Sequence, residues 1–140
     1  MKLANTLLIG LTLLLLVSCG EATIEKKWKL DDINVEEIVK TIPQEEKEMF
    51  ENGVKESVTK TKGKLILDFQ KGGKITTENP NMDETTSKET GTWKMSDDKK
   101  TVTVTIEDQP QAFTIHELTK DKLVIEPAGE KMKLVFVEKK

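Results

Sequence analysis

The chain contains no arginine and no tyrosine, one cysteine, one histidine and four prolines. Each scarcity closes off chemistry. Without arginine there is no planar guanidinium to clamp a phosphate or carboxylate through two parallel hydrogen bonds. All 22 basic residues are lysines, and against 25 acidic residues they leave a net charge of −3. That balance lacks the basic footprint of a nucleic-acid-binding protein, so no nucleic-acid partner is expected. One cysteine cannot form an internal disulfide. The only histidine, His116, has no second histidine or cysteine near it in the sequence with which to share a metal or build a nucleophile–base pair. Aromatic side chains are Trp28, Trp93, Phe50, Phe69, Phe113 and Phe136 alone, so any ring platform must be built from these few.

What is present begins with one long apolar run. Lys2 and the amino terminus supply positive charge, and "LLIGLTLLLLV" (Leu7 to Val17) supplies a stretch that fits the core of a secretory signal. It falls short of the roughly 20 residues a membrane-crossing helix needs. The run ends in "LVSC", which resembles a bacterial lipobox: a large aliphatic residue at Leu16, tolerated residues at Val17 and Ser18, then Cys19. A lone cysteine has four ordinary roles: nucleophile, metal ligand, buried core residue or lipid attachment point. The resemblance implies the last. In such lipoproteins the thiol carries a diacylglycerol, the preceding peptide bond is cut, and the new amino terminus is a further acylation site. Burial in lipid is worth about 0.8 kcal/mol per methylene, so two or three chains hold a protein that one chain would hold only reversibly. The expected organisation is a signal peptide over residues 1–18, a lipidated polar tether over 19–25, and one domain over 26–140.

Within that domain the hydrophobic period changes twice. "KKWKLD" (Lys26 to Asp31) alternates and predicts a first strand. "INVEEIVKTI" spaces Val35, Ile38, Val39 and Ile42 for a short first helix. A second helix is predicted from "TIPQEE" to about Lys60, with Thr41 and Gln44 as a capping box and Pro43 in the first turn. Met49, Phe50, Val54 and Val58 form its apolar stripe, and Gly53 suggests close packing. From Lys64 the period is two throughout. Inward positions are Leu65, Leu67 and Phe69; Ile75; Trp93 and Met95; Val102, Val104 and Ile106; Phe113 and Ile115; Leu123 and Ile125; Met132, Leu134 and Phe136. Short turns such as "QKGGK", "SDDKK" and "TKDK" separate them, and a longer polar loop, "NPNMDETTS", stands between the third and fourth strands. The fold class this predicts is mainly β: an eight-stranded antiparallel up-and-down barrel with a helix pair inserted between strands 1 and 2.

The W-K-L first strand, the helical insert, "LDFQKGGKI", "TGTWKMSDD", "TVTVTI" and "FTIHELTKDKLVIE" together resemble the lipocalin-like lipoprotein domains common in Bacteroidetes. The likeness runs over about Lys27 to Val137. It implies a calycin-type barrel, a Gram-negative host and therefore an outer-membrane anchor, and no defined activity. One position departs from true lipocalins: the glycine two residues before the first-strand tryptophan is Lys26 here. A helix pair after the first strand resembles the lid of intracellular fatty-acid-binding proteins in layout only.

Alternation turns His116 away from the core, as a surface histidine. The pairs Asp31–Asp32, Asp83–Glu84 and Asp97–Asp98 lack the D-x-D-x-D-G spacing of a calcium loop and read as turn formers, so no metal and no cofactor beyond the acyl groups on Cys19 is expected. Trp28, Phe69, Trp93, Phe113 and Phe136 face the barrel interior, where they line a ligand cavity or fill the core. Two function classes follow, neither an enzyme: a module binding a small apolar or amphipathic ligand, and a filled barrel that docks another envelope component. Interior volume discriminates them.

Overall fold

Residues with one apolar face per strand and short turns between strands bury that face most economically by curling the sheet onto itself. The computed structural model describes residues 22–140, and in it the sheet closes. The expected signal segment and Cys19 lie outside the described residues. Strands β1 (Lys27–Asn34), β2 (Ile66–Gln70), β3 (Lys74–Pro80), β4 (Thr86–Met95), β5 (Thr101–Ile106), β6 (Gln109–Leu118), β7 (Lys122–Pro127) and β8 (Lys133–Glu138) pair antiparallel in chain order. β8 returns to β1, with Leu30 opposite Phe136 and Ile33 opposite Leu134. Helices α1 (Glu36–Val39) and α2 (Gln44–Thr61) stand between β1 and β2.

The barrel has two unlike ends. β1 starts at a closed end, shared with the β2–β3, β4–β5 and β6–β7 turns and the carboxyl terminus. It finishes at a mouth bordered by the helices, the 81–85 loop, the 107–108 turn and the 128–132 turn. Trp28, Leu30, Phe69, Ile75, Val102, Leu123, Ile125 and Phe136 are fully buried, and most of them lie toward the closed end. Ile24, just upstream of β1, is buried with them, so the core reaches back into the segment assigned to the tether. Trp28 Nε1 donates to the Ile24 carbonyl at 2.9 Å, which seals that end without an unpaired indole N–H.

Two bulges adjust the closure. β1 shifts register between Leu30 and Asp32, which brings Ile33 back to the inner face beside Leu134 and leaves Asp31 to pair with Lys62 at 2.9 Å. β6 shifts between Ile115 and Glu117, making His116 the extra residue. The strands also reach further than their patterns. β1 continues to Asn34 and shortens the first helix to one turn, because Asp32–Asn34 ladder with Lys133–Val135. β3 and β4 extend through much of the expected polar loop, leaving 81–85 as the connection. β6 begins at Gln109 despite Pro110, since 109–111 pair with Val104–Ile106.

The helix insert departs most from expectation. Thr41 does not cap α2: its hydroxyl donates back to the Ile38 carbonyl at 2.8 Å, closing α1, and Pro43 stands at the cap position with no side-chain bond. Met49 is 81% exposed and leaves the apolar stripe, which is Phe50, Val54 and Val58, all half-buried. Gly53 marks no close packing, because a Cβ there would meet nothing within 4 Å. Close approach occurs instead at Gly91, where a Cβ would overlap the Thr105 carbonyl oxygen and lie 2.9 Å from Ile106 Cγ1. Gly91→Ala is expected to destabilise the fold by about 1–3 kcal/mol through overpacking. Gly53→Ala, by contrast, should stabilise by about 0.5–1 kcal/mol by removing backbone freedom from the unfolded chain. Urea unfolding of the two variants checks both signs.

Candidate functional site

Alternation puts five aromatic rings on the inner face, and the structure brings them into one apolar cluster. Trp28, Phe69 and Phe136 are fully buried in it, while Trp93 and Phe113 are half-buried and pack against it. The Phe69 and Trp93 rings meet edge to face with centroids 5.6 Å apart, and Trp93 Nε1 donates to the Gln70 carbonyl at 3.0 Å. Lys26 Nζ lies 5.5 Å from the centre of the Trp28 ring. These contacts fill the lower barrel with side chains. Every buried side-chain polar atom among the described residues has a hydrogen-bond partner.

Toward the mouth the inner face divides. Ile75 and Thr77 are buried on the same face of β3; Thr77 stands opposite Glu89, Asn79 opposite Ser87, and Val104 opposite Gln111. Register therefore turns Asn79, Ser87, Glu89 and Gln111 inward on the β3–β6 side, where Asn79 Nδ2 donates to Thr77 Oγ1 at 3.4 Å. The opposite side, from β8 and β1, presents Leu134 and Ile33. One wall of the mouth is polar and the other apolar. The sequence carried this in the polar residues at inward positions of β3, β4 and β6, a signal hidden while 79–87 and 107–111 read as loops and turns.

The helices do not close the mouth. No residue of α1 or α2 is buried. A cleft of about 710 Å³ separates them from the end of β1. Its apolar floor and roof are Ile33, Val35, Val39, Val54 and Val58. Its edges carry Asp32, Glu36, Glu51, Lys40 and Lys55. Lys40 bonds Glu37 at 2.6 Å, which holds the Glu37 carboxyl below its ordinary range and raises the lysine. Lys55 has no ion pair among the described residues, so it is the cation at this edge free to meet an anion. The volume falls within the roughly 300–1,000 Å³ of small-molecule sites. No ring of the lower cluster lines it.

The remaining polar residues have local duties. His116 is exposed, its Nε2 3.1 Å from Glu126 Oε2. Asp98 accepts from the Ser96 hydroxyl at 2.6 Å and the Lys100 amide at 3.0 Å, and Asp83 accepts from the Thr85 hydroxyl and amide. These donors hold both carboxyls below the usual carboxylate range. Turn formation accounts for both aspartates. Among the described residues, no three metal-ligating side chains come together.

A closed eight-stranded antiparallel up-and-down barrel is of the size that side chains fill or that holds one small ligand, and here it carries a helical insert after its first strand. The family model for the lipocalin-like domain matches residues 24–125, and the chain belongs to that family. Among solved structures it resembles a lipocalin-like protein from Bacteroides uniformis, at 12% identity, with a TM-score of 0.55 over 81% of this chain and 96% of that one. It also resembles an uncharacterized protein from Bacteroides eggerthii, at 16% identity and a TM-score of 0.51, over 81% and 98%. No curated protein matches the chain.

If the lower rings are core, Phe69→Ala should cost about 3–5 kcal/mol. Phe113→Ala, with its half-buried ring, should cost distinctly less. Thermal melts of the two variants give the order.

Proposed function

We propose that the protein is a lipid-anchored envelope lipoprotein that binds a small amphipathic molecule at the mouth of its barrel. The observation that carries the binding reading is the cleft between β1 and the helices, with an apolar lining of isoleucine and valine and a lysine at its edge. A ligand there would lay its apolar part along Val35, Val54 and Val58 and bring an anionic or dipolar head to Lys55. Phe113 and Trp93, half-buried, would meet only a ligand reaching down the axis. The rings of Trp28, Phe69 and Phe136 serve the fold in this reading. Its chemistry is binding, with no catalytic step and no cofactor beyond the acyl groups.

The anchor reading rests on "LVSC" at Leu16 to Cys19 and on the apolar run before it. On this reading the protein has a Gram-negative envelope and an outer-membrane address, as the resemblance to Bacteroidetes lipoprotein domains implies. A second reading draws on the filled lower barrel: an interaction protein with no ligand, docking another envelope component.

Native mass spectrometry of the protein purified from its own source separates the two. A co-purified mass is expected, and Val54→Trp, which fills the cleft, should abolish it while moving the melting temperature little. Finding no bound mass, and no binding across a panel of lipids and metabolites, would leave the interaction reading. For the anchor, Cys19→Ser is expected to give an uncut precursor that takes up no labelled fatty acid. Normal processing of that variant would sink the lipoprotein reading.

A further inference from the structure

The two ends of the barrel differ in charge. At the closed end the β2–β3 turn, "QKGGK", has two lysines and no acid; "TKDK" between β6 and β7 has two against one; the chain ends "EKK". "SDDKK" between β4 and β5 is balanced, and Lys26 and Lys27 stand beside Glu25 at the start of β1. The mouth is the reverse. Its 81–85 loop, "NMDET", has two acids and no lysine, the 107–108 turn is Glu-Asp, the insert over 35–65 carries seven acids to six lysines, and the 128–132 turn is balanced. Lys71, Lys74, Lys120 and Lys139 at the closed end are exposed and form no ion pair among the described residues. Strands of five to ten residues, tilted to the barrel axis, put the ends roughly 20 Å apart. Screening at physiological salt acts over about 8 Å, so the mouth's acids do not cancel the closed end's lysines.

A second observation concerns where the chain arrives. Residues 22–26 reach the barrel at the closed end, where Ile24 is buried and Lys26 Nζ donates to the Lys120 carbonyl at 2.8 Å. An anchor at Cys19 is only a few residues upstream, so it would bring this end, rather than the mouth, against the bilayer.

We infer that the closed end is a docking surface for anionic phospholipid headgroups, and that the cleft opens away from the membrane. The inference rests on the anchored reading for its biology, but its chemistry is that of lysine ammonium groups against lipid phosphates. The ligand of the cleft would then come from the aqueous side or from a partner, not from the leaflet that holds the anchor.

The test uses the acylated protein from its own source, reconstituted on vesicles of phosphatidylcholine alone or mixed with phosphatidylglycerol. Lysines are labelled with an amine-reactive ester and counted by mass spectrometry. Each lysine at an anionic surface contributes roughly a fivefold factor. On the anionic vesicles at low salt, Lys71, Lys74 and Lys120 should be protected about fivefold or more relative to Lys55 and Lys88. High salt should erase the difference. The neutral vesicles remove any shielding due to the tether itself. Equal labelling of both ends on anionic vesicles, or protection at the mouth instead, would overturn the proposal. Failure to float with neutral vesicles would remove the anchor; salt-sensitive flotation with anionic vesicles alone would still uphold the docking surface, and no flotation with either would refute it.

Discussion

Closure between β1 and β8 is the constraint on which the rest of the molecule depends. An open eight-stranded sheet would leave two edges of unpaired backbone groups and an apolar face in water; joining the first strand to the last removes both. Closure also dictates what the interior can hold. Eight strands leave room for side chains or one small ligand, and here Trp28, Phe69, Ile75, Leu123 and Phe136 take the lower half. The cleft accordingly lies at the rim, outside that core. The bulge at Asp31 belongs to the same constraint: it lets β1 keep its inner face past Leu30, and the displaced carboxylate pairs with Lys62 just after α2.

The insert between β1 and β2 is where local and global demands part. α2 has a stripe of half-buried apolar residues and no buried one, so the helix gains less from the barrel than its pattern would allow. What fastens it is at its carboxyl end: the Lys62–Asp31 pair and the Gly63 amide donating to the Leu30 carbonyl at 2.7 Å. An exposed ion pair is worth at most about 1 kcal/mol. α2 thus stands outside the core over the cleft, while Ile24 and the Trp28 indole seal the lower barrel.

Much of the fold was legible because barrels write themselves in period two. Inward residues such as Phe69, Ile75, Val102, Leu123 and Phe136 follow from alternation, and the strand order follows from short turns. The misreadings share a cause. Asn79, Ser87 and Gln111 face inward at a wet mouth, where polar side chains are tolerated, so these strand ends carry a loop-like pattern. Thr41 was misread as a cap because its hydroxyl has a nearer acceptor in the turn that ends α1. Gly53 is exposed where a packing contact was expected, and Gly91, on an ordinary-looking strand, proves to be the crowded one.

The sequence alone determined the class of fold, the inward face of most strands, the surface position of His116 and the turn duties of Asp83 and Asp98, because each depends on neighbours within a few residues. Only the tertiary structure decided that the rings pack as one lower core, that the cleft lies between β1 and the helices, and that lysines gather at one end and acids at the other. Those properties depend on which turns share an end of the barrel and on how far α2 stands from the rim. Both are set by closure across the whole chain, which no local pattern encodes.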